Sequence, residues 1–385
     1  MAKVSKEWFS NIYIIQLFLL AFLPGSILFV SPIARAFFYL LQLLFFYFGL
    51  KISIANKNGV FLNYYWLLIL FSVGFSLSGL LLGQNDISSS ILLSYISFIF
   101  LIINSGLFFS NLQSLKLENF KSIFSWFIFI CLIIGILQYF GIIDFEFART
   151  KYFVAGEDNK ILEASRSTSL FIEPSGWAYF YSLFLFYSIN KQSNKFWSIL
   201  IVLASLFLSN SGSGYVFVIL LLGYWFIFSR SIPILIKLVV VSVFIFSIIY
   251  IGYSQFELID KLFFRKDYRN VAPALTLTYL LNETPESLIL GNGIFSLLKF
   301  TPQLDLAEYA QTTTNFYVDV LFELGLFGLF GALIFLYKSI RMSFIYFIIL
   351  LVFISQFGYR SYLIPFTLFL FWVTQNTKLN KGTNA

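Results

Sequence analysis

Residues 40–50, LLQLLFFYFGL, and residues 344–354, FIYFIILLVFI, are apolar on every face. A strand of a membrane β-barrel would alternate apolar and polar positions over about 10 residues. A surface helix of a water-soluble protein would keep one polar side. Neither pattern is present, so both segments read as helices surrounded by lipid. The whole chain agrees with them: it is 59% hydrophobic, 21% aromatic and 11% charged, with a mean hydropathy of +0.86. That leaves too few polar side chains to cover a water-facing surface.

A hydrocarbon core about 30 Å thick needs roughly 20 apolar residues per helix, and about twelve runs approach that length. They lie near 12–30, 33–50, 60–82, 91–109, 123–143, 168–189, 196–209, 214–229, 233–252, 315–337, 342–358 and 361–375. The expected fold is an all-α polytopic membrane protein with about 12 transmembrane helices, a single membrane domain over 1–385. The seventh, eighth and twelfth runs are short, which leaves eleven or thirteen spans open. Lys3 and Lys6 precede the first run and no small-residue cleavage pattern follows it, so it reads as a retained span.

Lysine and arginine set the orientation. One set of short loops and ends holds Lys3, Lys6, Lys51, Lys57, Lys116, Lys121, Lys191, Lys195, Arg230, Lys338, Arg341, Lys378 and Lys381; the short loops of the other set hold only Arg35 and Arg360. Both termini are thereby expected in the cytoplasm. Two long loops, 144–167 and 253–313, face outward, the larger between the ninth and tenth helices. The net charge of +7 reads as this topology signal, and nothing else in the chain suggests nucleic acid.

The chain contains no histidine, which removes imidazole acid–base catalysis and His-ligated zinc. Cys131, the lone cysteine, sits mid-span and reads as a small apolar residue. No phosphate-binding loop of the ATPase type occurs, so energy has to arrive in the substrate or in a gradient.

Polar chemistry concentrates at the outward end. Arg166 and Glu173 flank the mouth of the sixth span in RSTSLFIEPSGWAYF (166–180), where charge is costly and marks a functional site by default. Pro174 lacks an N–H and pushes Glu173 toward extended backbone, which predicts a break near the start of that span. A simple Arg–Glu staple is one reading of the pair; a carboxylate tuned by partial burial and a nearby cation, suited to general base work, is the other. The larger loop carries Lys261, Arg265, Lys266 and Arg269 among aromatics, then a predicted helix over 270–282 ended by Pro285, then a turn at Gly291-Asn292-Gly293. Such cations suit a solvated face, anionic headgroups or, where arginine recurs, bidentate binding of a pyrophosphate. Arg360, between Tyr359 and Tyr362 at the outer end of the eleventh span, reads either as an interfacial arginine or as part of that site. Asp319 and Glu323, one turn apart on the tenth span, form a second acid site or pair with arginines above them.

The stretch 166–180, the small-residue turn SNSGSG (209–214), the outer loop ending in Gly291-Asn292-Gly293, and TTTNFYVDVLFELGLFGLFG (312–331) together resemble the O-antigen polymerase and ligase superfamily. The likeness covers roughly residues 149–360. Ligases of that superfamily carry a His-Asn-like pair followed at fixed spacing by two glycines; here Asn315, Gly325 and Gly328 keep the frame and Thr314 stands where histidine belongs. The resemblance therefore implies the polymerase branch, which joins oligosaccharide repeat units carried on undecaprenyl pyrophosphate at the periplasmic face of the bacterial inner membrane. It also implies a chain-length-regulating co-polymerase as a partner beside the lipid bilayer. Under it, Glu173 and Arg166 are the expected catalytic pair, with Arg265, Arg269, Arg360, Asn315 and Tyr317 as pyrophosphate or sugar contacts. No metal and no cofactor is expected, since the first outer loop is only SPIAR and lacks the paired acids that metal-using lipid-linked glycosyltransferases place there. A ligase-like glycan transferase and a twelve-helix transporter or flippase are the competing readings.

Overall fold

Backbone amides and carbonyls cannot stay bare in hydrocarbon, so a membrane-embedded chain closes its hydrogen bonds within helices. The structure, a computed structural model, describes residues 2–25, 31–56, 89–111, 120–143, 167–171, 174–191, 195–209, 211–229, 232–239, 242, 268–293, 296–297, 315–340, 344–355 and 361–382, and these contain helices and no strand. The helices are α1 (Ala2–Phe22), α2 (Pro32–Asn56), α3 (Ser89–Asn111), α4 (Phe120–Tyr139), α5 (Pro174–Lys191), α6 (Lys195–Ser209), α7 (Gly212–Phe228), α8 (Tyr268–Asn282), α9 (Pro285–Leu290), α10 (Phe316–Ile340), α11 (Phe344–Ile354) and α12 (Leu363–Gly382). The sequence-predicted spans at 60–82 and 233–252 lie wholly or mostly outside the described residues.

Among the described residues three stretches are long and apolar enough to cross a bilayer: Pro32–Ile54, Ser122–Tyr139 and Phe316–Ile334, of 23, 18 and 19 residues. Shorter apolar helices stand around them. Their outward faces are apolar at helical spacing: Phe37, Leu40, Leu44 and Tyr47 on α2; Trp126, Phe129, Ile133 and Ile136 on α4; Leu200, Leu203 and Phe207 on α6; Phe327, Phe330 and Ile334 on α10. At roughly 25 cal/mol per Å² such faces could not be left to water. The protein is a helical membrane protein, and these stripes meet lipid.

At the centre stands α5, buried at every position from Trp177 to Asn190. A helix with no lipid face does not need aliphatic side chains, and this one is built of Trp, Tyr, Phe and Ser. Phe180 packs near Phe18 and Phe366, and Phe186 stacks on Phe371 of α12 at 4.1 Å between ring centroids. Glycines let α4 and α7 approach it: a Cβ at Gly135 would fall 2.3 Å from the Trp177 ring, and one at Gly214 would fall 2.1 Å from the Tyr181 hydroxyl. Polar ties replace the hydrophobic drive that lipid cannot supply between helices. Asn104 of α3 donates to the Gln42 carbonyl (3.1 Å) and to the Tyr362 hydroxyl (3.2 Å), and Tyr346 of α11 donates to Asn190 (2.7 Å).

Contacts give the helix directions. Gln42 donates to Ser97 (2.8 Å) and Asn111 donates to the Gly49 carbonyl (3.0 Å), so α2 and α3 advance together and are parallel. Phe217 stacks on Phe353 at 4.5 Å and Tyr224 meets Tyr346 at 6.0 Å, so α7 and α11 are antiparallel.

Several boundaries differ from the sequence reading. The first helix starts at Ala2 and gives way at Phe22 to a short 3-10 turn, Leu23–Gly25, in place of a run over 12–30. The sixth span begins at Pro174 and not at residue 168: Ser167–Phe171 is non-helical and Ser169 has φ 56°. Proline there occupies the first helical position, where its missing N–H costs nothing, so it starts a helix and does not break one. The loop helix stops at Asn282, where the sequence reading ended it, and Pro285 opens a further helix, α9, with Thr284 as its cap.

Candidate functional site at a broken membrane helix

Helix α10 is interrupted at Gly325, whose φ of 66° and ψ of −170° only glycine adopts freely. In a continuous helix the carbonyls of Phe322 and Glu323 would accept from amides one turn on. Here they accept from the long loop: Asn292 N–H to Phe322 (2.9 Å) and Gly293 N–H to Glu323 (3.0 Å). The loop reaches them through α9, which Thr284 caps by accepting from the Ser287 amide (3.4 Å). At Gly291 (φ 81°) the chain turns, and two backbones meet face to face. A Cβ at Gly291 would lie 2.5 Å from the Glu323 carbonyl oxygen, and one at Gly325 would lie 2.2 Å from that of Ile289. Phe322, Leu280 and Leu297 form a small apolar cluster beneath the junction.

Two carboxylates are built into this junction. Asp319 and Glu323 are both fully buried, one turn apart, within the membrane-crossing stretch of α10. Asp319 lies in the first turn, where the helix dipole favours negative charge. The Leu297 amide donates to the Glu323 carboxylate at 3.3 Å. On the loop segment docked here Asn292 Nδ2 and Ser296 Oγ, and on α8 Thr276 Oγ1, are buried without a hydrogen-bond partner, each at a cost of about 1–3 kcal/mol. Buried acids with surplus donors and acceptors, at membrane depth beside non-helical backbone, can hold a polyhydroxylated ligand or take a proton from one. Among the described residues no three His, Cys, Asp or Glu side chains come together to hold a metal ion.

Of the sequence-predicted site residues, Arg166, Glu173, Arg265 and Arg360 lie outside the described residues. Arg269 falls in the first turn of α8, the helix that packs on α10; its side chain is outside the description. Asn315 and Tyr317 share the start of α10, one turn from Asp319. Asn315 accepts from the amides of Tyr317 (3.1 Å) and Val318 (3.3 Å), which makes it the helix cap. Tyr317 donates its hydroxyl to the Leu351 carbonyl at 2.6 Å, tying α10 to α11. Both polar groups thus have a structural task.

The backbone on the C-terminal side of Arg166 is held firmly. Gln138 of α4 accepts from the amides of Thr168 (3.0 Å) and Ser169 (2.7 Å) and donates to the Ser169 carbonyl (3.1 Å). Ser167 and Ser169 donate their hydroxyls to the carbonyls of Gly135 and Cys131, at 2.9 and 2.7 Å. Sequence reasoning missed Gln138; the signal available was an amide side chain near the end of an otherwise apolar helix. Compared with family models, curated proteins and solved structures, this chain matches none.

Proposed function

We propose that the protein polymerises oligosaccharide repeat units linked to undecaprenyl pyrophosphate, acting as a metal-independent glycosyltransferase at the periplasmic face of a bacterial inner membrane. The observation that carries this reading is the broken helix α10, where two buried carboxylates meet a long loop that folds back into the membrane region. Catalytic membrane sites need such a place, where irregular backbone is sheltered by protein. The motif resemblance supplies the substrate class, and Arg265 and Arg269 in the outward loop suit a pyrophosphate.

The helix directions support the twelve-span plan. Parallel α2 and α3 fit an odd number of crossings between them, and the sequence there holds one apolar run, 60–82. Antiparallel α7 and α11 fit an even number of crossings between them, and in the proposed plan the apolar run at 233–252 pairs with α10. Adding these two to the ten described helices outside the α8–α9 loop gives about twelve spans. An even count places both termini on one side, and the lysine and arginine bias makes that side the cytoplasm.

In the proposed step an acceptor sugar hydroxyl attacks the anomeric carbon of the lipid-linked chain. A C–O bond forms, the bond to the pyrophosphate breaks, and the leaving diphosphate carries away the electron pair. Glu173 takes the hydroxyl proton, and Arg166 with Arg265, Arg269 and Arg360 offsets the charge on the leaving group. Cells carrying Glu173→Gln or Arg166→Ala are expected to make single-repeat glycan and no long polymer, with the protein at normal abundance; each loss is about 10²-fold or more in rate. Normal chain ladders in both would remove these residues from the site. A transporter would instead leave lipid-linked units on the cytoplasmic leaflet when deleted, which a leaflet-specific sugar probe reads.

A further inference from the structure

Helix α8 is inside out for a helix in water. Its buried positions include a threonine, Thr276, at 0% exposure, while Leu281 is 62% exposed. Leu275 and Leu277 are also exposed on α8, as are Ile289 and Leu290 on α9. Three of the four leucines of α8 face outward, Leu280 being the buried one, and the outward Thr278 spends its hydroxyl on the Ala274 carbonyl, a pattern that suits hydrocarbon better than water. The apolar surface is also continuous with the lipid-facing side of α10. Ile289 and Leu290 are exposed immediately before Gly291, Gly291 abuts Gly325, and Phe327 and Phe330 are exposed just beyond it. The stretch of sequence that leads into α8 carries Lys261, Arg265 and Lys266 among Glu257, Asp260 and Asp267, the mixed charge of an interfacial segment, and Arg269 follows in the first turn of α8.

We propose that α8 and α9 form a membrane-seated hairpin whose outer face is covered by lipid acyl chains, and that they do not belong to an aqueous loop. The inference rests on the membrane fold and is independent of glycosyl transfer. It gives the α10 junction a lipid-side wall: a ligand with a long hydrocarbon tail reaches Asp319 and Glu323 from within the bilayer, and a free water-soluble sugar does not share that route.

The test places a nitroxide label at Leu281→Cys and, separately, at Ile289→Cys in a Cys131→Ala background, with Phe330→Cys as the lipid-facing reference. Full-length protein is reconstituted in vesicles of phosphatidylethanolamine and phosphatidylglycerol. Relaxation by oxygen, which partitions into hydrocarbon, is compared with relaxation by a water-soluble nickel chelate. The expected result is an oxygen-to-nickel ratio at 281 and 289 equal to that at 330. A ratio several-fold lower, dominated by nickel, would overturn the proposal by showing water at this face. Low accessibility to both agents would overturn it too, by showing that protein covers the face. Neither readout requires activity, so the outcome is separate from the fate of the polymerase reading.

Discussion

Gly291 and Gly325 are where single atoms decide the architecture. Both have positive φ, and at either one a Cβ would lie within 2.5 Å of opposing backbone. Alanine at either position adds left-handed strain and steric overlap that no flexible side chain can relieve, together about 2–5 kcal/mol. Gly223 is a control of the same chemistry, since nothing lies within 4 Å of its Cβ direction and its backbone is helical. Gly325→Ala and Gly291→Ala are therefore expected to lower the apparent Tm of the detergent-solubilised protein, and Gly223→Ala to leave it unchanged or raise it slightly. Equal behaviour of all three would mean that the junction is not formed. Asp319 and Glu323 depend on the same point: without the break, the carbonyl of Glu323 would be spent inside the helix and the loop would have nothing to dock on.

At the scale of elements, apolar runs are readable because lipid imposes one simple demand on length and composition, and ten of the predicted spans coincide with described helices to within a turn or two at most of their ends. What is not readable is which helix sits inside. α5 is central, yet its own sequence is less aliphatic than its neighbours, because a span without lipid contact is chosen for packing and hydrogen bonding. The break at Gly325 is hidden for a related reason: glycine is common in membrane helices, and only its partner, the Gly291-Asn292-Gly293 turn roughly 30 residues upstream, makes the position special. Pro174 and Pro285 show the ambiguity of proline, which marks a boundary without saying on which side the helix lies. The parallel pairing of α2 and α3 makes the proposed span between them open to a direct check. Single cysteines at Asn58 and Asn85 are expected to react with a membrane-impermeant maleimide from opposite sides, 85 from outside and 58 only after permeabilisation. Labelling of both from one side would contradict the twelve-span plan.

For the whole molecule, the bundle is a scaffold that buries an aromatic centre, turns apolar stripes to lipid and, among the described residues, places irregular backbone at Ser167–Phe171 before α5 and at the junction on α10. The first is adjacent in sequence to Arg166 and Glu173, and the second contains Asp319 and Glu323. Sequence identified these four charged residues because charge is rare in the chain, but it could not rank them: Asn315 and Tyr317 looked equally available and are occupied by capping and by a helix tie. The central claim is that this scaffold joins lipid-linked glycan units. Purified protein in vesicles, supplied only with a defined undecaprenyl-pyrophosphate-linked repeat unit and excess chelator, tests it directly. The account predicts products of two or more repeats with release of one undecaprenyl pyrophosphate per bond formed; movement of the intact unit between leaflets with no dimer, or polymerisation that returns only when a divalent ion is added, would contradict it.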